Sequence, residues 1–213
     1  MKPGKFITLE GGEGAGKSTQ VRHLVAHLAQ FGIKAITTRE VGGPPSAEEI
    51  RTLWLSKEAG HWDPLTEVLL IMAARREHLV RTVWPALACG IWVVSDRFVD
   101  STRAYQGVGL DLGVEKIDAI YAQVAGDFWP DLTLLLDVPV EIGMQRVASR
   151  RGPDDRYEQL ERAFHEKLRQ GFLGLAGKEP QRFAVVDAGG DQAAVSGAIE
   201  QVIAKRFGFP DAQ

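Results

Sequence analysis

Short β-type runs alternate with helical patterns along the chain, which predicts an α/β fold built on a parallel sheet. Five runs carry the strand pattern: Phe6–Glu10, Ala35–Thr38, Ile91–Ser95, Leu132–Asp137 and Phe183–Asp187. Most are continuously apolar, as expected where helices cover both faces. The stretches between them repeat apolar residues at helical spacing. A glycine-rich segment joins the first strand to the first helix. The 213 residues suit a single domain, taken as 1–213.

After the first strand, Val21, Leu24, Val25, Leu28 and Phe31 follow helical spacing, and Gly32 supplies a stop. Ser46-Ala47-Glu48-Glu49 reads as a capping box that opens a second helix. Asp63-Pro64 gives an N-cap and an N1 proline for a longer helix reaching the region of Trp84. Further helices are predicted over Val114–Ala125, Val140–Arg150, Glu158–Ala176 and Gln192–Phe207. The polar, arginine-rich stretch Ser149–Glu158 lies between two of them and reads as a mobile surface segment.

Composition excludes several classes. With 25 Lys plus Arg against 28 Asp plus Glu, the net charge is −3, without the electrostatic footprint of a general nucleic-acid binder. The single cysteine, Cys89, rules out an intrachain disulfide, and its apolar neighbours predict a buried, inert thiol. No apolar run approaches a membrane span, and the start leads into a strand rather than a signal-peptide core. The chain contains no Asn and therefore no N-glycosylation sequon. A cytoplasmic protein is expected.

Gly11-Gly12-Glu13-Gly14-Ala15-Gly16-Lys17-Ser18 matches the P-loop pattern, with a strand before it and a helix after it. Glycines let the backbone curl so that N–H groups face phosphate oxygens, and the helix N-terminus adds partial positive charge. The expected ATP-binding run is Gly11 to Thr19, with Lys17 on the β/γ-phosphates and the Ser18 hydroxyl on Mg²⁺. A ligand-free glycine turn does not explain Lys17 and Ser18 at their offsets.

Three P-loop classes compete. A regulatory GTPase needs an [NT]-K-x-D motif; without Asn the first form is impossible, and Glu115 precedes Lys116-Ile117-Asp118. A nucleic-acid motor usually needs a longer chain and a basic groove. A small-molecule kinase needs a second anion site and a cationic cover that excludes water. Asp96-Arg97, just beyond a strand's carboxyl end, suits the second site. There Asp96 can hold Mg²⁺ through water, and Arg97 can grip an acceptor phosphate bidentately. Arg150, Arg151 and Arg156 suit the cover. A nucleotide-dependent switch that hydrolyses ATP slowly is the alternative from another class.

These residues also resemble a known family, the bacterial thymidylate (dTMP) kinases, from about Lys5 to Phe207. The similarity rests on ordered signatures: Phe6-Ile7-Thr8-Leu9-Glu10 with the P-loop, Thr38-Arg39-Glu40-x-Gly42-Gly43, Glu48-Glu49-Ile50-Arg51, Ala73-Ala74-Arg75-Arg76-Glu77-His78, Asp96-Arg97-Phe98, Ala104-Tyr105-Gln106-Gly107, Pro130-Asp131-Leu132-Thr133 and Asp155-Arg156-x-Glu158. The resemblance implies a P-loop NTPase-type parallel five-stranded sheet flanked by helices, a nucleoside monophosphate kinase architecture with a short lid, and a homodimer. It implies transfer of the γ-phosphoryl of Mg-ATP to dTMP, giving dTDP and ADP for dTTP biosynthesis.

It also implies residue roles. Glu13 approaches the acceptor sugar's 3′-hydroxyl, and Arg97 with Glu40 and Arg51 surrounds the acceptor phosphate. Arg75 bonds the thymine ring, helped by Thr102 and Gln106, while Tyr105 packs beneath the sugar and disfavours a 2′-hydroxyl. Position 14 is Gly, which places the chain with members whose catalytic arginine comes from the lid, here Arg150, Arg151 or Arg156. Two positions depart from the family pattern: Ile71 replaces a Phe that stacks on thymine, and Val41 replaces a Pro. Both predict a raised acceptor KM. The alternative enzyme is a kinase for another nucleoside monophosphate such as dUMP, since a thymine methyl discriminates by only ~1–3 kcal/mol.

His23 and His27 lack the zincin Glu and read as solvated or partly packed. His78 is expected to brace its helix, and the five tryptophans to pack.

Overall fold

The structure, a computed structural model, describes residues 3–56, 62–149 and 161–209. Five parallel strands form one sheet: β1 (Phe6–Glu10), β2 (Ala35–Arg39), β3 (Trp92–Asp96), β4 (Leu132–Asp137) and β5 (Phe183–Asp187). Their spatial order is β2-β3-β1-β4-β5. Central β1 is buried along its whole length, whereas edge strands β2 and β5 are partly exposed. That difference follows from position, since an edge strand has one open side.

Nine α-helices are described: α1 (Lys17–Gln30), α2 (Pro45–Leu55), α3 (Pro64–His78), α4 (Trp84–Ala88), α5 (Val99–Thr102), α6 (Val114–Ala125), α7 (Val140–Ala148), α8 (Arg162–Lys178) and α9 (Gln192–Phe207). On one face of the sheet α1 and α9 bury Leu24, Leu28, Ile199 and Ile203 with Ile7 and Leu134. The other side of the molecule carries two further clusters. One gathers Val68, Met72, Phe98, Ile117 and Tyr121, and the other gathers Ile71, Leu168 and Phe172.

Several local expectations are met. Gly32 takes a φ of +71° after α1, a conformation glycine adopts without a Cβ penalty. Asp63 caps α3, accepting from the N–H groups of Leu65 at 3.0 Å and Thr66 at 3.2 Å. Beyond α3 the helix widens into a π-type turn over Leu79–Val83 before α4. Pro85 sits just past that turn; it lacks an N–H and crowds the carbonyl four residues earlier, a recognised cause of such a break.

Other expectations are corrected. The capping box does not form: α2 begins earlier, with Pro44 as N-cap and Pro45 in the first turn. Ser46 therefore lies inside the helix, and its hydroxyl donates to Glu77 Oε2 at 2.6 Å. Cys89 is exposed rather than buried, because α4 ends at Ala88 and the chain turns at the surface before β3. His27 is buried against α9, with Nδ1 3.5 Å from Glu200. Strand β3 runs one residue later than predicted, to Asp96, which moves that carboxylate onto the sheet itself.

Candidate active site

Parallel register brings the two phosphate-facing segments together. Leu9 of β1 lies opposite Asp96 of β3, so the P-loop after β1 and Arg97 after β3 leave the sheet side by side. This is the carboxyl edge of an open α/β sheet, where ligands bind.

The P-loop runs from Gly11 into α1. Gly14 has a φ of +70°, and a Cβ there would fall 2.1 Å from the Gly143 carbonyl oxygen. Position 14 is thus closed to any side chain in this backbone. The N-cap of α1 is Gly16, with no side-chain cap, so the helix's first N–H groups face the loop unshielded. Lys17 Nζ donates to the carbonyls of Gly11 at 3.0 Å and Gly12 at 2.8 Å. Burial, reinforced by Arg97, lowers the Lys17 ammonium to about 8.

Ser18 Oγ donates to Asp96 Oδ2 at 2.5 Å. Together these give two hard oxygens beside the phosphate cradle. They fit Mg²⁺, which takes one or two protein oxygens and keeps the rest of its octahedron for water and phosphates. No group of three or more His, Cys, Asp or Glu able to hold a metal occurs among the described residues.

Arg97 has a φ of +70°, a left-handed conformation that costs a non-glycine residue about 1–3 kcal/mol. Its guanidinium donates to Glu13 Oε1 at 2.9 Å, Ser101 Oγ at 3.1 Å and the Gly11 carbonyl at 3.2 Å. Tyr105 donates its phenolic proton to the same Glu13 oxygen at 2.5 Å, and its ring lies 5.1 Å from the Arg97 guanidinium carbon. Burial raises the Glu13 carboxyl, but Arg97 and Lys17 outweigh it and hold the group at about 2. Glu13 is therefore an anion throughout the physiological range.

The far wall is built on α3, α5 and the π-type segment Arg103–Gly109. Arg75 is 2% exposed; its Nε donates to Glu40 Oε2 at 2.7 Å and its Nη2 to Thr102 Oγ1 at 3.0 Å. His78 bonds Glu40 Oε1 through Nδ1 at 2.8 Å and Thr38 Oγ1 through Nε2 at 2.7 Å, bracing the wall. Burial disfavours the Glu40 anion, yet Arg75 and His78 keep its carboxyl below the ordinary value. Gln106 donates to Glu67 Oε1 at 2.6 Å, and Arg51 donates to the Val41 carbonyl at 2.7 Å. Glu40 thus bonds toward Arg75 and His78, while Arg97 bonds toward Glu13.

One cavity of about 410 Å³ joins both halves, within the usual range for small-molecule sites. Its lining includes Glu13 to Thr19 of the P-loop, Glu40, Val41, Arg51, Ile71, Arg75, Asp96, Arg97, Thr102, Tyr105 and Gln106. Gly11 and Gly12 form the back of the P-loop, against a smaller cavity. Arg150, Arg151 and Arg156 lie outside the described residues.

A sequence model described as thymidylate kinase matches residues 9–199. The chain belongs to the thymidylate kinase family. It is 50% identical over 209 residues to the thymidylate kinase of Caulobacter vibrioides, covering 98% of this chain and all of that one. The thymidylate kinase of Alkalilimnicola ehrlichii is 48% identical over 204 residues, covering 96% and 94%. That of Pseudomonas entomophila is 50% identical over 202 residues, covering 94% and 95%.

In this thymidylate kinase family member, two cavity residues carried no separate sequence signal, Trp54 and Ser101, and Phe98 of the Asp96-Arg97-Phe98 signature lines the space with them. Phe98 lies 5.2 Å beneath the Arg75 guanidinium. Glu67, the partner of Gln106, is buried within α3 at a sequence distance no local pattern reveals.

Proposed function

We propose that this chain is a thymidylate kinase that transfers the γ-phosphoryl group of Mg-ATP to dTMP, giving dTDP and ADP in dTTP biosynthesis. The supporting observation is the single cavity that carries a P-loop at one end and the Arg75, Thr102 and Gln106 wall at the other. A nucleoside monophosphate fits between them, its phosphate toward Arg97 and its base toward Arg75.

In the reaction, an oxygen of the dTMP phosphate forms a bond to the γ-phosphorus. The bond from that phosphorus to the β,γ-bridging oxygen breaks, and ADP keeps the electron pair. The acceptor phosphate, with a second pKa of ~6, is already largely ionised at neutral pH, so no general base is needed. Positioning and charge neutralisation are the main contributions. The P-loop amides and Lys17 hold the donor phosphates, and Arg97 holds the acceptor phosphate. Glu13 faces the sugar 3′-hydroxyl, Tyr105 packs beneath the sugar, and Glu40 fixes Arg75 toward the base. Arg51 closes the acceptor loop through the Val41 carbonyl. Ser18 and Asp96 would hold Mg²⁺, which neutralises charge on the β- and γ-phosphates when bound. Arg150, Arg151 and Arg156 are proposed to cover the transferring group from a lid at about 149–158.

We further propose one kinase domain over 1–213 that acts in the cytoplasm as a homodimer. No described helix is long and apolar enough to cross a membrane. The shallow apolar groove between α3 and α6, with Leu69 53% exposed beside Met72, Ile120 and Val124, supports a second copy there. Its mass in analytical ultracentrifugation tests that assembly.

The deciding experiment measures ADP release from Mg-ATP with dTMP, dUMP, UMP, dCMP, AMP, GMP or no acceptor. Turnover led by dTMP is expected. Preference for another monophosphate would overturn the substrate, and turnover independent of all acceptors would point to a hydrolytic switch.

A further inference from the structure

We infer that Glu10 is a positioning residue for Arg97, holding both its backbone turn and its guanidinium. Glu10 is the last residue of β1, fully buried, and directly precedes the P-loop. Its side chain leaves the P-loop and reaches residues 98–101 instead. Oε1 accepts the Phe98 N–H at 2.7 Å, and Oε2 accepts the Ser101 hydroxyl at 2.6 Å.

These two bonds complete the fixing of Arg97 in its left-handed conformation. The Arg97 N–H donates to the Leu9 carbonyl at 3.0 Å, and the Arg97 carbonyl accepts from Ser95 Oγ at 2.8 Å. The next N–H along the chain, on Phe98, is the one Glu10 takes. A buried amide without a partner would favour another turn, so the Glu10 carboxyl oxygen that takes the Phe98 N–H helps select this one. Through its second oxygen Glu10 aims the Ser101 hydroxyl, whose oxygen accepts from Arg97 Nη1 at 3.1 Å. Glu13 holds the other arm of the guanidinium at 2.9 Å. The guanidinium is thereby clamped from two sides before substrate arrives, a preorganisation that favours phosphate binding.

A purely structural role for Glu10 has a nearby competitor in Asp100, which is also fully buried. Asp100, however, pairs with Arg103 and Arg182, and none of the three lines the cavity. Both hydrogen bonds to Glu10 come from the loop and helix that follow Arg97.

The inference rests on the kinase reading, and its test separates the two. Glu10→Gln keeps the volume and one acceptor but turns an amide N–H₂ or a single oxygen toward Ser101. Ser101→Ala removes the relay and leaves Glu10 in place. Calorimetric Kd values for dTMP and ATP are measured for each variant, alone and combined with Arg97→Ala. Each single variant is expected to weaken dTMP binding by roughly tenfold, the scale of one hydrogen bond to a charged group. ATP binding should stay within about twofold, and neither change should weaken dTMP further once Arg97 is Ala. An unchanged dTMP Kd, an equal loss for ATP, or losses that multiply with that of Arg97→Ala would each overturn the inference. If Glu10→Gln does not fold, Ser101→Ala decides alone. Wild-type protein without dTMP-dependent turnover would overturn the kinase reading and this inference with it; normal wild-type turnover with indifferent variants would overturn this inference alone.

Discussion

Arg97 Nη2 donates to Glu13 Oε1 at 2.9 Å, joining the residue after β3 to the middle of the P-loop. The donor and acceptor halves of the cavity therefore share one ion pair, and Tyr105 completes it from the third side. Glu13 holds one arm of the Arg97 guanidinium, and both residues line the cavity.

Replacing Arg97 with Ala should chiefly damage acceptor use. Losing hydrogen bonds to a charged phosphate is worth ~1.5–3 kcal/mol, so kcat/KM for dTMP should fall by roughly 10- to 100-fold or more. Steady-state kinetics with dTMP varied at saturating ATP checks this. An unchanged dTMP KM and kcat would remove Arg97 from the acceptor site.

Glu13 predicts a pH dependence of stability with a definite sign. Its folded-state pKa lies near 2 against an ordinary 4.5, so its ionised contacts stabilise the fold above 4.5. That contribution shrinks as pH falls from 4.5 toward 2. Urea unfolding of wild type and Glu13→Gln should show a stability gap that is constant between pH 6 and 7 and narrows below about 4.5. A gap that widens on acidification would contradict the assignment.

Ile71 lines the cavity at 4% exposure, one helical turn from Arg75. An aromatic ring there can stack on a pyrimidine, an interaction worth ~1–3 kcal/mol. Ile71→Phe should lower the KM for dTMP by several-fold while leaving the KM for ATP nearly unchanged. A dTMP KM that stays level or rises would show that the Ile71 departure carries no affinity cost.

The buried carboxylate of Glu40 pairs with the Arg75 guanidinium and hydrogen-bonds His78 Nδ1. Removing one member of such a buried pair typically costs ~3–5 kcal/mol, because the remaining charge has no partner. Glu40→Gln should therefore lower unfolding stability by about 3 kcal/mol, at the low end of that range since the amide still bonds. It should also weaken dTMP binding more than ATP binding. Chemical denaturation and calorimetry on the same preparation measure both.

The proposed role of Arg150, Arg151 and Arg156 can be tested by kinetics. Arg150→Ala, Arg151→Ala and Arg156→Ala, made singly, should include one variant whose kcat drops by ~10³-fold or more, as removal of an arginine finger does. If all three retain near wild-type kcat, the arginine does not come from this segment.

Much of the molecule is legible in its sequence because the relevant signals are local. The P-loop spans eight consecutive residues, and a strand before it and helix after it are required by the same short stretch. Most of the strands are apolar runs, and the N-cap at Asp63 bonds N–H groups only two and three residues ahead. The capping box at Ser46 misled because Pro44-Pro45 starts α2 earlier, and Glu77, 31 residues away, competes for the hydroxyl. Cys89 misled because a composition window cannot tell the last apolar turn of a buried helix from one that ends at the surface.

By itself the sequence determined the α/β class, the phosphate cradle, the family resemblance and the identity of the chemical groups. Only the tertiary structure decided their partners: Glu40 with Arg75 and His78, Glu13 with Arg97 and Tyr105, Gln106 with Glu67, and Glu10 with the turn at Arg97. Each of these contacts spans tens of residues and depends on strand register, as when Leu9 meets Asp96 across the sheet. A local pattern fixes backbone conformation through neighbours in the chain. A buried carboxylate is satisfied by whichever donor the packed sheet and helices bring within about 3 Å, and that choice exists only once the fold has closed.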